Sequence, residues 1–404
     1  MLLAGQFFRI FGEKRGGEYW YKLYFSRPGF VYYTWPPYER PPPKAPQRCM
    51  FSSVRRAAIV WYATFLCLPV ALLAVTPTAA PLPRYTVGDR GQSLVRTLVN
   101  TPGLNAQGVL AIWKAAPTGV IKGLVITPEL TQTIVGTDEF PFVYPADING
   151  DSTVVGLLQR PQDLRFTRAF KWSHNGLEVL PNLQGPYASA AAINAAGTVV
   201  GSAQTSTSAR HAVLWQGAAP RDLGLLARGD YSSARDINDQ GQVVGEANVI
   251  PNGKPRAFLW SGHTMQQLPL LPGGTFCSGQ AINNAGETVG SCDLPEGSAH
   301  AVLWKNGTIK DLGTLGDEDA PSTALDINRE GQIVGSSEVV DGKLRAVLWQ
   351  SGRLIDLNTL IDRHSGWLLL VASRINDRGE IAGRGMYHGA IHAFVLEPSA
   401  TLTR

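Results

Sequence analysis

The chain of 404 residues is long enough for two ordinary domains or for one large all-β domain. Its 43 glycines and 27 prolines, with only 17% charged residues and no long amphipathic helical period, favour many short strands joined by turns. The net charge of +4 comes from residues 1–80, which hold ten Lys/Arg and three Asp/Glu, whereas the remainder holds 26 and 29. The remainder is therefore mildly acidic. This excludes phosphate neutralisation as a driving force, and we expect no nucleic-acid partner.

Residues 57–75 are a predominantly apolar run that follows two arginines and precedes a stretch of small residues. A basic flank, an apolar middle and a small-residue exit are the three parts of a secretory signal. Because Met50 stands just upstream of the arginines, we predict that 50–80 is a signal peptide. The run is nineteen residues long, so an uncleaved membrane anchor is the alternative. In either case the chain after Ala80 is expected to be periplasmic or secreted.

Residues 1–49 match neither a hydrophobic core nor a known leader. We expect translation to begin at Met50, which would make this upstream segment an artefact of start-site choice. The alternative is a disordered, basic, proline-rich tail.

From residue 100 onward one pattern recurs: Ile-Asn-x-x-Gly-x-x-Val-Gly, then a basic residue before Ala-x-Leu-Trp, then Asp-Leu-Gly. Its period is 44 to 48 residues, which lies in the range of propeller blades. The asparagines that mark the period, called the anchor asparagines below, are Asn105, Asn149, Asn194, Asn238, Asn283, Asn328 and Asn376. The tryptophans that follow them are Trp172, Trp215, Trp260, Trp304 and Trp349, with Ile126 and Leu396 in the first and last units.

Each unit predicts four strands, the first two of which meet at Asn-x-x-Gly. Asn at the first and Gly at the fourth position are typical of a type I turn, so the pair forms an antiparallel hairpin rather than a rung of a parallel β-helix. The last unit lacks its fourth strand, and residues 84–91 carry the missing Asp and Gly in the correct phase. We therefore predict that 81–404 is an all-β, seven-bladed β-propeller of four-stranded antiparallel blades, whose ring is closed by the N-terminal strand 84–91.

The motifs Tyr85-Thr-Val, Asp-Leu-Gly-x-Leu, Ile-Asn-x-x-Gly-x-x-Val-Gly and His392-Ala-Phe394 recur in register over residues 84–398. In these motifs the chain resembles the HAF family of probable extracellular repeats. The resemblance implies an exported repeat protein and very little about activity. The chain departs from the pattern at Ser152, which replaces the turn glycine, and at Ile126 and Leu396, which replace tryptophan.

Cys277 and Cys292 are the only cysteines after the leader. If 283–286 is a hairpin turn, the two residues face each other on neighbouring strands, within reach of a disulfide. Export would place them in an oxidising compartment. The sequence favours a structural disulfide over two unpaired buried thiols.

A basic residue stands four positions before the tryptophan position of every unit. These residues are Lys122, Arg168, His211, Arg256, His300, Arg345 and His392. They could form an anion-binding ring, for instance for an acidic polysaccharide. Arginine occurs only in units with an aspartate two before the anchor, namely Asp147, Asp236 and Asp326. This coincidence favours structural Arg–Asp pairs across adjacent strands, although a two-unit duplication would also produce it.

Asp147, Asn149 and Asp151 have the spacing that begins a calcium-binding loop. The loop glycine is replaced by Ser152, and position twelve is Leu158 instead of glutamate. These residues are thus a weak metal candidate, and a hairpin turn is the better interpretation. No nucleophile elbow, phosphate loop or zinc motif occurs in the sequence, so no cofactor and no catalytic residue are predicted.

The sequence favours an exported, non-enzymatic, monomeric propeller that binds an extracellular polysaccharide or protein through loops that differ between units. Those loops are 202–210, 246–255, 291–298 and 336–344. The alternative is a secreted glycan-active enzyme with carboxylates gathered at one end of the channel. Its candidate acids are Asp138, Glu139, Asp317, Glu318 and Asp319. Contact with a membrane is expected only through an uncleaved leader.

Overall fold

The computed structural model describes residues 83–92, 103–116 and 119–399, together with the backbone of two short strands near the N-terminus. Those two strands, β1 (Ile10–Arg15) and β2 (Glu18–Leu23), form an antiparallel hairpin that belongs to a separate unit of the chain. The predicted signal peptide at 50–80 lies outside the described residues. Among the helices of the described residues, none is long and apolar enough to cross a bilayer.

Residues 85–398 form seven four-stranded antiparallel sheets, each a blade with strands A to D from the inside to the outside. Blade 1 consists of β4 (Gly103–Leu104), β5 (Leu110–Ala115), β6 (Ile121–Ile126) and β7 (Thr131–Ile134). Blade 2 consists of β8 (Phe142–Ile148), β9 (Val154–Gln159), β10 (Thr167–Ser173) and β11 (Gly176–Val179). Blade 3 consists of β12 (Gln184–Ile193), β13 (Val199–Thr205), β14 (Arg210–Trp215) and β15 (Pro220–Asp222). Blade 4 consists of β16 (Ser232–Ile237), β17 (Val243–Asn248), β18 (Pro255–Ser261) and β19 (Thr264–Gln267). Blade 5 consists of β20 (Cys277–Ile282), β21 (Thr288–Asp293), β22 (Ala299–Lys305) and β23 (Thr308–Asp311). Blade 6 consists of β24 (Ser322–Ile327), β25 (Ile333–Glu338), β26 (Leu344–Gln350) and β27 (Arg353–Asp356). Blade 7 consists of β28 (Trp367–Ile375), β29 (Ile381–Tyr387), β30 (Ala390–Pro398) and β3 (Tyr85–Gln92), and a 3-10 helix (Leu357–Thr359) precedes it.

The ring closes through β3, which is strand D of blade 7. It pairs with β30 in the register Val87↔Leu396, so the first described strand of the propeller completes the last blade. The A strands of neighbouring blades contact one another all the way round, including β28 against β4. The predicted seven-bladed propeller and its closure by the N-terminal strand are confirmed. A closed ring leaves no A strand at a terminal edge of the assembly.

Each anchor asparagine begins the turn between strands A and B. In blade 5 the Oδ1 of Asn283 accepts hydrogen bonds from the amides of Ala285 and Glu287, both at 3.0 Å, and the Gly286 amide donates to its carbonyl. Gly286 has a φ of +76°, which glycine adopts without strain. In blade 2, Ser152 occupies the same position with a φ of +58°, so the turn keeps its shape where glycine is missing.

The glycine that ends the Val-Gly step is required because strand A bulges toward it. In blade 4 the register shifts between Ala234 and Asp236, which leaves Arg235 as the extra residue of a β-bulge. A Cβ added at Gly245 would collide with the carbonyl oxygen of Ser233 in this bulge. The same shift occurs in strand A of every blade from 2 to 7.

The tryptophans of strand C tie their blade to the preceding one. The indole Nε1 of Trp215 donates to the carbonyl of Pro181 at 2.7 Å, and Trp304 and Trp349 make the corresponding bonds at 2.8 and 2.9 Å. These three rings are buried with valine and alanine side chains of the neighbouring sheets. A large aromatic ring that also places its one polar atom on a neighbouring backbone carbonyl suits this interface.

The side chains of the anchor asparagines form a closed cycle of hydrogen bonds. The Nδ2 of each one donates to the backbone carbonyl of the anchor in the next blade, at 3.0 to 3.3 Å, and all seven side chains are buried. The last bond, from Asn376 to Asn105, joins residues 271 positions apart. One amide thus holds its own turn through Oδ1 and the next blade through Nδ2.

Replacing an anchor asparagine should destabilise the whole ring. Asn283→Ala removes the acceptor of the Ala285 and Glu287 amides and one buried donor to the Asn328 carbonyl, so we expect the loss of these three hydrogen bonds to lower the free energy of unfolding by about 3 kcal/mol. Chemical denaturation measures the change. Asn175→Ala, in an exposed turn, is the control and should remain within about 0.5 kcal/mol. Equal stability of the two variants would contradict the structural role of the cycle.

The predicted disulfide is confirmed. Cys277 and Cys292 are cross-strand partners in the A–B hairpin of blade 5, and they are bonded and fully buried. The bond closes a loop with a sequence separation of 15 residues within a single hairpin. It therefore fastens the innermost strand of blade 5 to its neighbour.

Removal of this disulfide by Cys277→Ala with Cys292→Ala should lower the free energy of unfolding by about 3 kcal/mol, the value for a loop of this length. Denaturation of the wild type with and without reductant should show the same loss, while the double variant should not respond to reductant. Intact mass without reductant provides the independent readout. Two free thiols in the purified wild type would refute the bond.

Candidate functional site

The two ends of the propeller differ in construction. We call the end that carries the A–B and C–D turns the turn face, and the end that carries the B–C and D–A connections the loop face. The turn face holds the asparagine cycle around a cavity of about 260 Å³ that is lined by all seven blades. The structure places the four loops proposed for recognition together on the loop face, since each of them joins strand B to strand C.

Exposed apolar side chains concentrate on the loop face. Seven large apolar side chains are exposed in the described part of the chain, and five of them lie in loop-face connections or at the loop-face end of a strand B. These five are Val135, Leu164, Ile250, Val340 and Met386. Apolar surface that remains in contact with water on a folded protein marks an interaction surface when it is clustered.

Aromatic residues occupy one register position at the loop-face end of strand A. Phe142, Tyr187, Tyr231 and Phe276 each stand seven residues before an anchor asparagine, and all four are half-buried. Sequence reasoning missed this set, although its constant offset from the anchors was a visible signal. These rings therefore mark the loop-face ends of the innermost strands in four consecutive blades, 2 to 5.

The Arg–Asp pairs expected across adjacent strands do not form. In blade 4 the register places Asp236 opposite Val244 but Arg256 opposite Ala247. Three residues along strand B correspond to about 10 Å, and an odd offset puts the two side chains on opposite faces of the blade. The bulge in strand A contributes to this offset, and the repeat pattern alone did not reveal it.

The basic residues of strand C instead meet aspartates of strand D. His211 Nδ1 lies 2.7 Å from Asp222 Oδ2, and the equivalent pairs are His300–Asp311 at 2.9 Å, His392–Asp89 at 2.9 Å and Arg345–Asp356 at 3.8 Å. In blades 3, 5 and 6 the partners are eleven residues apart, a spacing that the sequence displays. The equivalent strand D positions of blades 1, 2 and 4 hold Thr133, Val179 and Gln267. Lys122, Arg168 and Arg256 therefore lack this carboxylate.

The aspartates of strand A link neighbouring A strands at the channel. Asp236 accepts hydrogen bonds from its own following amide, that of Ile237, and from Ile282 of the next blade, both at 2.8 Å. Asp326 binds the Ile327 and Ile375 amides in the same way. Asp147 accepts from Ile193 at 3.0 Å. These acids therefore connect blades 2 to 3, 4 to 5 and 6 to 7.

These three carboxyls also perturb one another. Burial, with repulsion from Asp326 and Asp147, raises the pKa of Asp236 to about 7. Burial raises the pKa of Asp326 to about 6, although the Arg374 guanidinium opposes the shift, and burial raises the pKa of Asp147 as well. The side chains are only half-buried because they border the channel, yet protein surrounds them on the remaining sides.

The candidate acids of the glycan-active alternative lie apart from this group. Asp138 and Glu139 belong to the D–A loop before blade 2, where Glu139 pairs with Arg160. The acids at 317–319 belong to the D–A loop before blade 6. The structure thus does not gather the predicted acids, and it brings to the channel three others whose oxygens bind backbone amides.

The candidate calcium loop holds the A–B turn of blade 2. Asn149 Oδ1 accepts from the Asp151 and Thr153 amides at 3.1 and 3.0 Å, and Asn149 Nδ2 donates to the next blade. Asp147 is bonded to Ile193. No cluster of three metal-ligating side chains occurs within the described ranges.

No protein-family model matches the chain, and no curated protein is similar to it at a significant level. Among solved structures, the chain is similar to a puromycin-hydrolysing peptidase of Mycobacterium tuberculosis, with a TM-score of 0.51 at 11% identity, covering 79% of this chain and 55% of the peptidase. It is also similar to the β-propeller domain of the trilobed protease of Pyrococcus furiosus (0.47, 13%, 63% and 80%) and to a putative TolB of Agrobacterium tumefaciens (0.42, 13%, 67% and 95%). At these identities the likeness shows the propeller fold alone.

The channel acids should make stability depend on pH. A carboxyl whose pKa is higher in the folded than in the unfolded state stabilises the fold below its unfolded pKa, near 4, and loses that contribution as the pH rises through its folded pKa. From pH 4 to 8 we expect Asp236 to cost about 1–2 kcal/mol of unfolding free energy, discounted for its access to the channel. Asp236→Asn should flatten this part of the pH–stability curve.

Urea denaturation at several pH values measures that curve, and Asp138→Asn in an exposed loop serves as the control. The opposite sign would overturn the assignment: the stability of the wild type would then rise from pH 4 to 8, and Asp236→Asn would remove that rise.

Proposed function

We propose that the chain is an exported, non-enzymatic β-propeller that binds an extracellular polysaccharide or protein through its loop face. The observation that carries the proposal is the concentration on this face of both the exposed apolar side chains and the aromatic ring set. The opposite face is occupied by turns that the asparagine cycle ties together. Variable loops on a rigid scaffold are the usual place for recognition.

Two further features support export. A disulfide forms and persists in oxidising compartments, and Cys277–Cys292 is buried in the innermost hairpin of blade 5. The sequence before the propeller has the parts of a secretory signal. The resemblance to the HAF family of probable extracellular repeats agrees with both and is part of the proposal.

The absence of turnover is proposed on the state of the channel carboxyls. Glycoside hydrolysis requires one carboxyl that donates a proton to the leaving oxygen and a second one that acts as base or nucleophile. The oxygens of Asp236 and Asp326 that face the neighbouring strands are held by backbone amides. The hydrogen bonds of these two carboxyls are accounted for by their structural role, which is to link neighbouring A strands.

Substitutions confined to the loop face should weaken binding. We expect Leu164→Ser with Ile250→Ser and Val340→Ser to reduce binding to the best ligand of a polysaccharide and extracellular-protein array by at least about ten-fold. The control is Leu130→Ser, which changes an exposed apolar residue in the C–D turn of blade 1 on the turn face. Ligand recovered from the complex should have an unchanged mass. Equal losses in both variants would reject the loop face, and shortened product would reject the binding-only function.

A further inference from the structure

We propose that an arc of arginines on the loop face of blades 2 and 3 binds the carboxylates of an acidic polysaccharide. The arginine arc consists of Arg160, Arg168 and Arg210, with the rings of Phe140 and Tyr187 between them. The inference rests on the proposed loop-face function and names its ligand class.

The first half of the arc is a stack around a buried ring. The Cζ atom of Arg160 lies 5.1 Å from the centroid of Phe140, and that of Arg168 lies 5.4 Å from it. Arg160 also covers Phe166 at 4.9 Å. One phenylalanine therefore holds two guanidinium groups in place, so these side chains lose less conformational entropy when a ligand binds.

The second half continues without a break into blades 3 and 4. Arg168 Nη1 donates to the carbonyl of Pro186 at 2.9 Å, directly before Tyr187. The Cζ atom of Arg210 lies 4.1 Å from the centroid of the Tyr187 ring. The backbone of Arg210 also bridges to Tyr231 of blade 4. The three guanidinium groups thus follow the loop face from blade 2 to blade 3.

Two of the three guanidinium groups of the arc have no carboxylate partner among the described residues. No carboxylate of the described residues lies within ion-pair distance of Arg168 or Arg210, and only Arg160 has a partner, Glu139. Burial and the neighbouring Arg160 lower the pKa of Arg168, which shows that its charge is held at a cost. The corresponding arginine of blade 6, Arg345, has Asp356 beside it. A bound anion would give Arg168 the negatively charged partner that Asp356 gives Arg345.

Carboxylates on a regular chain fit this arrangement. The N–H edge of a guanidinium group that lies against an aromatic ring matches the two oxygens of a carboxylate. The hydrogen bonds of Arg168 to the carbonyls of Thr167 and Pro186 both use Nη1, so its Nε and Nη2 can serve a ligand. Cations repeated along neighbouring blades suit a polymer that presents one carboxylate on every unit and lies extended across the face. Exposed Arg210 and half-buried Arg168 are both accessible to such a chain.

The test uses the exported chain and a defined probe, a galacturonate oligomer of about ten units, titrated by calorimetry at low and physiological salt. Arg168→Gln with Arg210→Gln should reduce affinity by at least about ten-fold, and the wild-type affinity should fall as salt screens the charges. Arg345→Gln is the matched control at the same repeat position and should change affinity less than two-fold. Arg210→Gln alone, at an exposed position, keeps the test valid if the double variant folds poorly.

Three outcomes would overturn the proposal: no binding of the galacturonate oligomer by the wild type, an equal loss in Arg345→Gln, or equally tight binding of polyglutamate, which would indicate an acidic polypeptide. A neutral maltodextrin should not bind. If the array instead yields a neutral glycan or a protein whose binding depends on Leu164, Ile250 and Val340, the acidic-polysaccharide inference fails and the loop-face function stands.

Discussion

The cycle of seven hydrogen bonds between anchor asparagines is the constraint on which the rest of the ring depends. Asparagine suits the position because its side chain carries both an acceptor and two donors on a short stem. Its Oδ1 shapes the A–B turn, and its Nδ2 reaches the next anchor carbonyl. Since each anchor both donates and accepts between blades, the cycle has no end at which a blade can drift. The bond from Asn376 to Asn105 closes the ring near its centre, between blades 7 and 1. The pairing of β3 with β30 closes it at the outer edge of blade 7.

The glycines and bulges of the repeat serve this inner ring. The bulge in strand A brings a carbonyl so close to strand B that only glycine fits opposite it, as Gly245 does against Ser233. Beyond the bulge, aspartate alternates with alanine between consecutive blades at the position two before the anchor, in blades 2 to 5. Each aspartate accepts a hydrogen bond from an amide of the next blade, so these additional links occur at every second interface from blade 2 to blade 7. Three carboxyls around one channel repel one another, which favours alternation over seven aspartates.

The basic residue of strand C has a carboxylate partner on strand D in some blades and lacks one in others. Where strand D supplies an aspartate, the basic residue of strand C is hydrogen-bonded or paired to it, as in His300–Asp311. In blade 2 strand D supplies Val179, and Arg168 turns instead to aromatic and carbonyl neighbours. The binding surface that we propose therefore lies where blade 2 departs from the repeat, because the scaffold does not require that departure.

The sequence by itself determined the number of blades, the closing strand and the disulfide. These follow from period and phase, because strands that are adjacent in a blade are also adjacent in the chain and a turn fixes their register. It did not determine the partners of the basic residues: Asp236 and Arg256 stand opposite residues of strand B that are three positions apart, although the eleven-residue spacing of His211 and Asp222 was visible. Only the tertiary structure decided the asparagine cycle, the aspartate links and the arginine arc. In the asparagine cycle and the aspartate links, most partners lie about forty-five residues away in the next blade, and in the arginine arc the contacts depend on where the loops are placed, so all three depend on how the blades pack.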